Sequence, residues 1–191
     1  MGKIRVFAAI ELVDAIKSEI GKFQDELRKV KADIKWVRLE NIHLTLKFFG
    51  YIPEEQVLVI EKELEKITEN VYIFSVLVEK IGSFPVSGNP KIVWAGINDP
   101  ANQIVNLQKY IEASLKKLGF ASEEHSYTPH LTIGRIKGKN NLKNLLQLIK
   151  EKDNIKFGSM IVKDISIIKS DLKSEGPLYT VLKKIALKDK I

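Results

Sequence analysis

The chain has 191 residues, with 31 lysines and arginines against 24 aspartates and glutamates, a formal net charge of +7. Its 45% apolar content is enough to bury one substantial core. No apolar run approaches the ~20 residues that span a bilayer, and the absence of cysteine excludes disulfides, thiolate nucleophiles and cysteine-based zinc sites. Histidine, carboxylate, hydroxyl and lysine chemistry is what is left. The basic excess suits a polyanionic partner such as RNA and equally an ordinary solvated lysine surface, so charge alone does not choose.

The start, MGKIRVFAAIEL, reaches Glu11 with no small-residue cleavage site, and so reads as a first strand rather than a signal peptide. A cytoplasmic location is the expectation. Residues 4–11 form a β-rich apolar run; Leu12, Ile16, Ile20, Phe23 and Leu27 then recur at helical spacing. Asp14 near the start of that helix and Arg28 and Lys29 near its end complement the helix dipole. Residues 35–50 read as extended, and Pro53-Glu54-Glu55 opens a second helix reaching residue 70. A strand over 71–81 and a turn-rich connection over 82–90 close the first half.

The second half repeats the order. Residues 91–97 predict a strand, 100–118 a helix ending at Gly119, 128–136 a strand and 141–153 a helix. Residues 155–170 and 178–187 are the last strands, with the polar turn 171–177 between them. No linker is long or polar enough to separate the halves, so residues 1–191 are expected to form a single bilobal α+β domain with approximate halves 1–86 and 87–191.

The tripeptide His-Leu-Thr occurs twice, at His43-Leu44-Thr45 and His130-Leu131-Thr132, and so accounts for two of the three histidines. A shift of 87 positions that superposes the two also lays Arg5-Val6-Phe7-Ala8-Ala9-Ile10 over Ile92-Val93-Trp94-Ala95-Gly96-Ile97. Ile20, Lys22 and Phe23 fall on Leu107, Lys109 and Tyr110. Three elements in one register point to an internal duplication. With a small change of offset, residues 75–81 also resemble residues 159–165.

In a strand, alternate side chains share a face, so His43 and Thr45 project together, and His130 and Thr132 form the equivalent pair. Each half then offers an imidazole and a hydroxyl on one surface. Displacement at phosphorus runs roughly in line, with a base at the entering oxygen and an acid at the leaving one. Histidine serves for both, since its pKa of about 6.5 lies near working pH. Threonine hydroxyls can donate to the non-bridging oxygens, where charge builds. Such a scheme needs no metal and no cofactor.

The paired His-x-Thr motifs, with flanks HLTLKFFG and TPHLTIGR, resemble the two-histidine (2H) phosphoesterase superfamily and its branch of RNA 2′,3′-cyclic phosphodiesterases, also called 2′-5′ RNA ligases or LigT-like proteins. The likeness runs from Arg5 to the final strands. It implies a bilobal fold, with two pseudo-symmetric sheet-and-helix halves around a central cleft, and hydrolysis of RNA 2′,3′-cyclic phosphate ends to a 2′-phosphate. On this resemblance His43 protonates the departing 3′ oxygen and His130 activates water, although the near-symmetry of the sequence leaves the reverse open. Thr45 and Thr132 would hold the phosphate oxygens, joined by Arg135, which strict alternation aims away from His130 unless a bulge at Gly134 returns it.

Lys47, on the face expected for His43, and Phe48 are candidate RNA contacts, with Phe49, Trp36, Trp94 and Lys137-Gly138-Lys139 behind them. Tyr127 either lines the cleft or packs, and His125, which has no partner in the repeat, reads as a surface-loop residue. One chain carries both motifs, so a monomer suffices. Two other functions stay open at this point: nucleotide-independent 2′-5′ ligation by the reverse reaction, and a non-catalytic RNA-end-binding module.

Overall fold

The computed structural model describes residues 2–86, 88–123 and 126–189. Among them, strand β1 (Lys3–Glu11) leads to helix α1 (Asp14–Arg28), the short β2 (Ile34–Trp36), a 3-10 turn (Leu39–Asn41) and β3 (His43–Pro53). Helix α2 (Gln56–Thr68), β4 (Phe74–Phe84), β5 (Ile92–Asn98), α3 (Gln103–Lys117) and β6 (His130–Ile136) follow. The chain ends with α4 (Leu142–Glu151), β7 (Lys156–Val162), β8 (Asp164–Lys173) and β9 (Gly176–Ala186). Pro53, expected at the head of the second helix, is instead the last residue of β3. No described helix is long and apolar enough to cross a membrane.

The strands form one antiparallel sheet in the order β7-β4-β5-β6-β3-β1-β8-β9, with β2 added beside β6. Residues 155–170, read as one strand from sequence, are two strands with only Lys163 between them. Yet β7 and β8 are six strand spacings apart in that order, about 29 Å if the sheet were flat. One residue spans about 3.5 Å. The sheet therefore curls until its two halves approach, and α+β architecture follows from helices covering one face only.

The sequence halves do not map one to one onto the sheet halves. β4 lies beside β5, while β8 and β9 continue from β1. Position for position, β4 corresponds to β8, since each flanks the first strand of its half, and β7 corresponds to β9. The likeness of residues 75–81 to residues 159–165 thus sets β4 mainly against the end of β7, which holds a different place in the sheet, and reaches only the first two residues of β8.

Helices bury Ile16, Ile20, Phe23 and Leu27 from α1 and Ile104, Leu107, Ile111 and Leu115 from α3 against Leu44, Leu46, Leu131 and Ile133 of the motif strands. The repeat is exact in the core at Ile20 and Leu107, but Phe23 is buried while its counterpart Tyr110 is exposed. A second, small cluster of Phe7, Ala9 and Ile168 lies on the opposite face with Tyr179 against it. That face carries both histidines.

Gly82 makes room for this face: a Cβ there would collide with the Trp94 ring, which lies over the glycine and packs against Phe84 with centroids 5.2 Å apart. Gly82→Val should expel the indole and lower stability by about 1–3 kcal/mol. The change would be read as a lower Tm together with altered tryptophan emission.

Candidate active site

β3 and β6 meet at the centre of the sheet through one ladder pair, Leu44 with Leu131. Both leucines point into the core. Continuing the antiparallel register one residue each way sets His43 across from Thr132 and Thr45 across from His130, all four on the open face. The histidines then occupy diagonal positions, about 7–8 Å apart and somewhat less at Cβ in a regular ladder.

Each ring is held the same way. Nδ1 of His43 lies 2.8 Å from the carbonyl of Asn41, and Nδ1 of His130 lies 2.8 Å from the carbonyl of Thr128. A carbonyl oxygen only accepts, so both Nδ1 atoms carry the proton and each neutral ring keeps the lone pair on Nε2. The surroundings differ. His43 stacks on Phe7 at 4.6 Å with planes 28° apart and meets the edge of Tyr179 at 5.3 Å. His130 meets Phe84 edge-on at 5.3 Å.

Burial is the main reason the His43 pKa is depressed to about 4, and the positive charge of Arg135 adds to it. The bond to Asn41 and the charge of Glu11 oppose the shift without reversing it. Glu11 ends β1 directly opposite His43, accepts from Ser166 Oγ at 2.9 Å and pairs with Lys184 at 2.6 Å. Burial raises its carboxyl, but these two partners outweigh burial and keep it below the usual range. A pocket of about 160 Å³ beside His43 is lined by Glu11, Asn41, Ile168 and Tyr179 among others. A larger open depression of about 820 Å³, between the end of α2 and β9, contains neither histidine.

Two matched β-bulges shape the rest. On β3, Ala9 pairs with Thr45 and Ala8 with Lys47, so Leu46 is the extra residue; on β6, Trp94 pairs with Thr132 and Val93 with Gly134, so Ile133 is extra. These two positions are 87 apart, like the motifs themselves. Each bulge reverses the alternation that follows it. Arg135 thereby returns to the histidine face, as expected for a bend, although the bulged residue is Ile133 and not Gly134. Its guanidinium acts on both His43 and Tyr179, and Lys35 of β2 stands opposite it.

The bulge at Leu46 corrects the expectation for Lys47. Lys47 points away from His43 into the core side, is 1% exposed, and donates to Glu112 Oε2 at 2.8 Å and to the Ala121 carbonyl at 2.7 Å. Buried and paired, it is not available to RNA. Phe48 moves to the open face instead and is 50% exposed. Phe49 packs against Phe120, and Trp36 lies under Arg28 on the helical side, so neither lines the cleft. Tyr127 packs in the core and donates to the Thr45 carbonyl at 2.8 Å, tying the approach to His130 onto β3. His125 lies outside the described residues.

A family model described as LigT like phosphoesterase matches residues 10–94 and again 96–179. The chain belongs to the LigT-like phosphoesterase family. An RNA 2′,3′-cyclic phosphodiesterase of Methanocaldococcus jannaschii is 38% identical over 181 residues, covering 95% of this chain and 99% of the relative. Another from Methanothermobacter thermautotrophicus is 35% identical over 178 residues, covering 93% and 96%. Among solved structures, TT0787 of Thermus thermophilus superposes with a TM-score of 0.83 at 24% identity over 98% of this chain and 100% of its own. Apo LigT of E. coli gives 0.78 at 22% identity over 98% and 99%. At these identities the two likenesses establish the bilobal fold.

Phe7, Phe84 and Tyr179 pack against the two histidines of this LigT-like chain although the motifs did not mark them. The repeat held a signal for Phe7, since the shift of 87 lays it over Trp94, and both sit beside a motif strand on the open face. Nothing in sequence pointed to Tyr179, which comes from β9.

Two outcomes follow from this geometry. Lys47→Met leaves Glu112 without its ammonium and should cost about 1–3 kcal/mol, whereas the double change with Glu112→Gln should recover part of that in a denaturation cycle. A neutral His43 is favoured in the folded chain, while an unfolded one binds a proton at about 6.5. Its contribution is therefore complete above about 6.5 and is lost as pH falls toward about 4. His43→Phe should flatten that stretch of a Tm-against-pH curve.

Proposed function

We propose that the chain hydrolyses RNA 2′,3′-cyclic phosphate ends to a 2′-phosphate and a 3′-hydroxyl by acid-base catalysis between His43 and His130. The observation that carries this reading is the Leu44–Leu131 seam, where two imidazoles with anchored Nδ1 atoms, and with Nε2 atoms that make no hydrogen bond among the described residues, flank one gap. Membership of the LigT-like family and full-length relatives named RNA 2′,3′-cyclic phosphodiesterase support the choice of substrate.

In this scheme His130 Nε2 takes a proton from water as its oxygen attacks phosphorus. The bond from phosphorus to the 3′ oxygen breaks, and His43 Nε2–H gives that oxygen a proton. Thr45, Thr132 and Arg135 donate to the non-bridging oxygens as charge gathers there. Burial keeps His43 neutral in the empty site. An incoming phosphate offsets Arg135 and adds negative charge on the side opposite Glu11, so the ring gains its proton as substrate binds. An imidazolium that burial destabilises is also a strong donor. No step is assigned to a metal, and one cytoplasmic chain holds every group required.

The test uses an RNA ending in a 2′,3′-cyclic phosphate. His43→Ala and His130→Ala should each lower kcat by about 10²–10⁴-fold, with activity of the unaltered protein insensitive to EDTA. Replacing the 3′ oxygen of the substrate by sulfur, a leaving group that needs no proton, should restore turnover to His43→Ala and not to His130→Ala. Rescue of the other variant would reverse the two roles, and undiminished turnover in both would overturn the assignment. With a 5′-hydroxyl acceptor present, a mainly ligated product would overturn the direction.

A further inference from the structure

We infer that the wall made by β3, β1, β8 and β9 is a second subsite that takes the nucleotide on the 5′ side of the cyclic end. Arg5 binds the phosphodiester between that nucleotide and the terminal one, and Phe48 and Tyr51 stack its base. The inference rests on the proposed function, and it names the substrate class: single-stranded RNA of two or more nucleotides rather than a lone cyclic mononucleotide.

Cross-strand register places these residues. Residues directly opposite in a ladder share a face. Phe7 pairs with Phe48 and Arg5 with Tyr51, Phe7 also pairs with Ile168, and Ser170 pairs with Tyr179. Phe7 stacks on His43, so all of them lie on the histidine face. A second bulge on β3, at Phe49, keeps both Phe48 and Tyr51 on that face, where they are 50% and 62% exposed. Their partners Phe7 and Arg5 are two residues apart, about 7 Å along the strand. Two open aromatic faces at that step, leading away from the catalytic gap, form a platform on which an unpaired base stacks.

Arg5 supplies the charge. It is half-buried, donates from Nη1 to Ser170 Oγ at 3.2 Å, and among the described residues has no carboxylate within ion-pair distance. Arg5 and Arg135 both bear on Tyr179, where their positive charges oppose the rise that burial imposes on the phenol. Arg5, hydrogen-bonded to the Ser170 that pairs with Tyr179, and Arg135, returned to the histidine face of β6, give the open face two guanidiniums, more positive charge than a single phosphate requires.

The opposite wall lacks these parts. Under the shift of 87, Arg5 falls on Ile92 and Tyr51 on Gly138. Trp94 there is closed over Gly82 and against Phe84, and Glu79 accepts from Asn98 beside it. A polyanion leaving the gap along β1 and β3 meets Arg5 and open rings beyond Glu11, whose charge Lys184 offsets, whereas the β5 side presents a sealed indole and a carboxylate. The duplication built two similar walls, and the differences between them set the direction of the strand.

The test compares adenosine 2′,3′-cyclic phosphate with the dinucleotide ApA bearing the same end. The unaltered protein should favour the dinucleotide in kcat/KM by about tenfold or more. Tyr51→Ala, at an exposed position, should remove most of that preference through KM and leave mononucleotide turnover within about twofold. Arg5→Gln should do the same and lower the salt dependence of dinucleotide binding by about 0.7 in log–log slope, with Arg5→Lys restoring part of it. Titration with the 2′-phosphate products of both substrates reads the subsite without turnover. Equal affinity for the two products, or variants that weaken both substrates alike, would falsify the subsite. Preferential binding of the longer product without hydrolysis of either substrate would uphold the subsite and sink the catalytic reading.

Discussion

The arrangement depends on the seam at which β3 and β6 touch through Leu44 and Leu131. Two buried leucines from distant parts of the chain fix the register of the strands that carry the histidines. Slipping that register by one residue would send His43 and Thr45 into the core and the leucines to solvent. The cost of burying an imidazole and a hydroxyl against Ile20, Leu107 and their neighbours defends the register. Helix packing on one face thus specifies the spacing of polar groups on the other.

Curling brings the rest of the site within reach of that seam. Because Lys163 alone joins β7 to β8, the outer strands of the two sheet halves are held near one another, and β9 delivers Tyr179 to the ring of His43. Aromatic contacts then give the two histidines unlike surroundings. His43 lies between Phe7 and Tyr179 and is driven toward neutrality, while His130 touches Phe84 at its edge. Equivalent residues in a duplicated chain acquire separate chemistry through their neighbours.

Bulges mark where simple periodicity stops being a guide. Alternation along HLTLKFFG places Lys47 beside His43 and hides Phe48, and the extra residue at Leu46 inverts both. The same device at Ile133 turns Arg135 toward the histidine face. A bulge depends on the facing strand, through the count of residues between hydrogen-bonded pairs. A single strand's sequence does not hold that count, although the recurrence of both bulges 87 residues apart reflects the repeat.

Local pattern accounts for what was legible. The strands and helices follow from periods of two and 3.6 residues, and the duplication and the pairing of His43-Thr45 with His130-Thr132 follow from recurrence in one register. The residues 155–170 merged into one strand because nothing local records that the chain passes at Lys163 from beside β4 to beside β1. By itself the sequence determined the elements, the repeated motif and hence the family of chemistry, since these depend on residues near one another along the chain. Only the tertiary structure decided which strands adjoin, where Lys47 and Arg135 point, and how Arg5, Tyr51 and Tyr179 gather on one wall, because those depend on pairing between segments far apart in the chain.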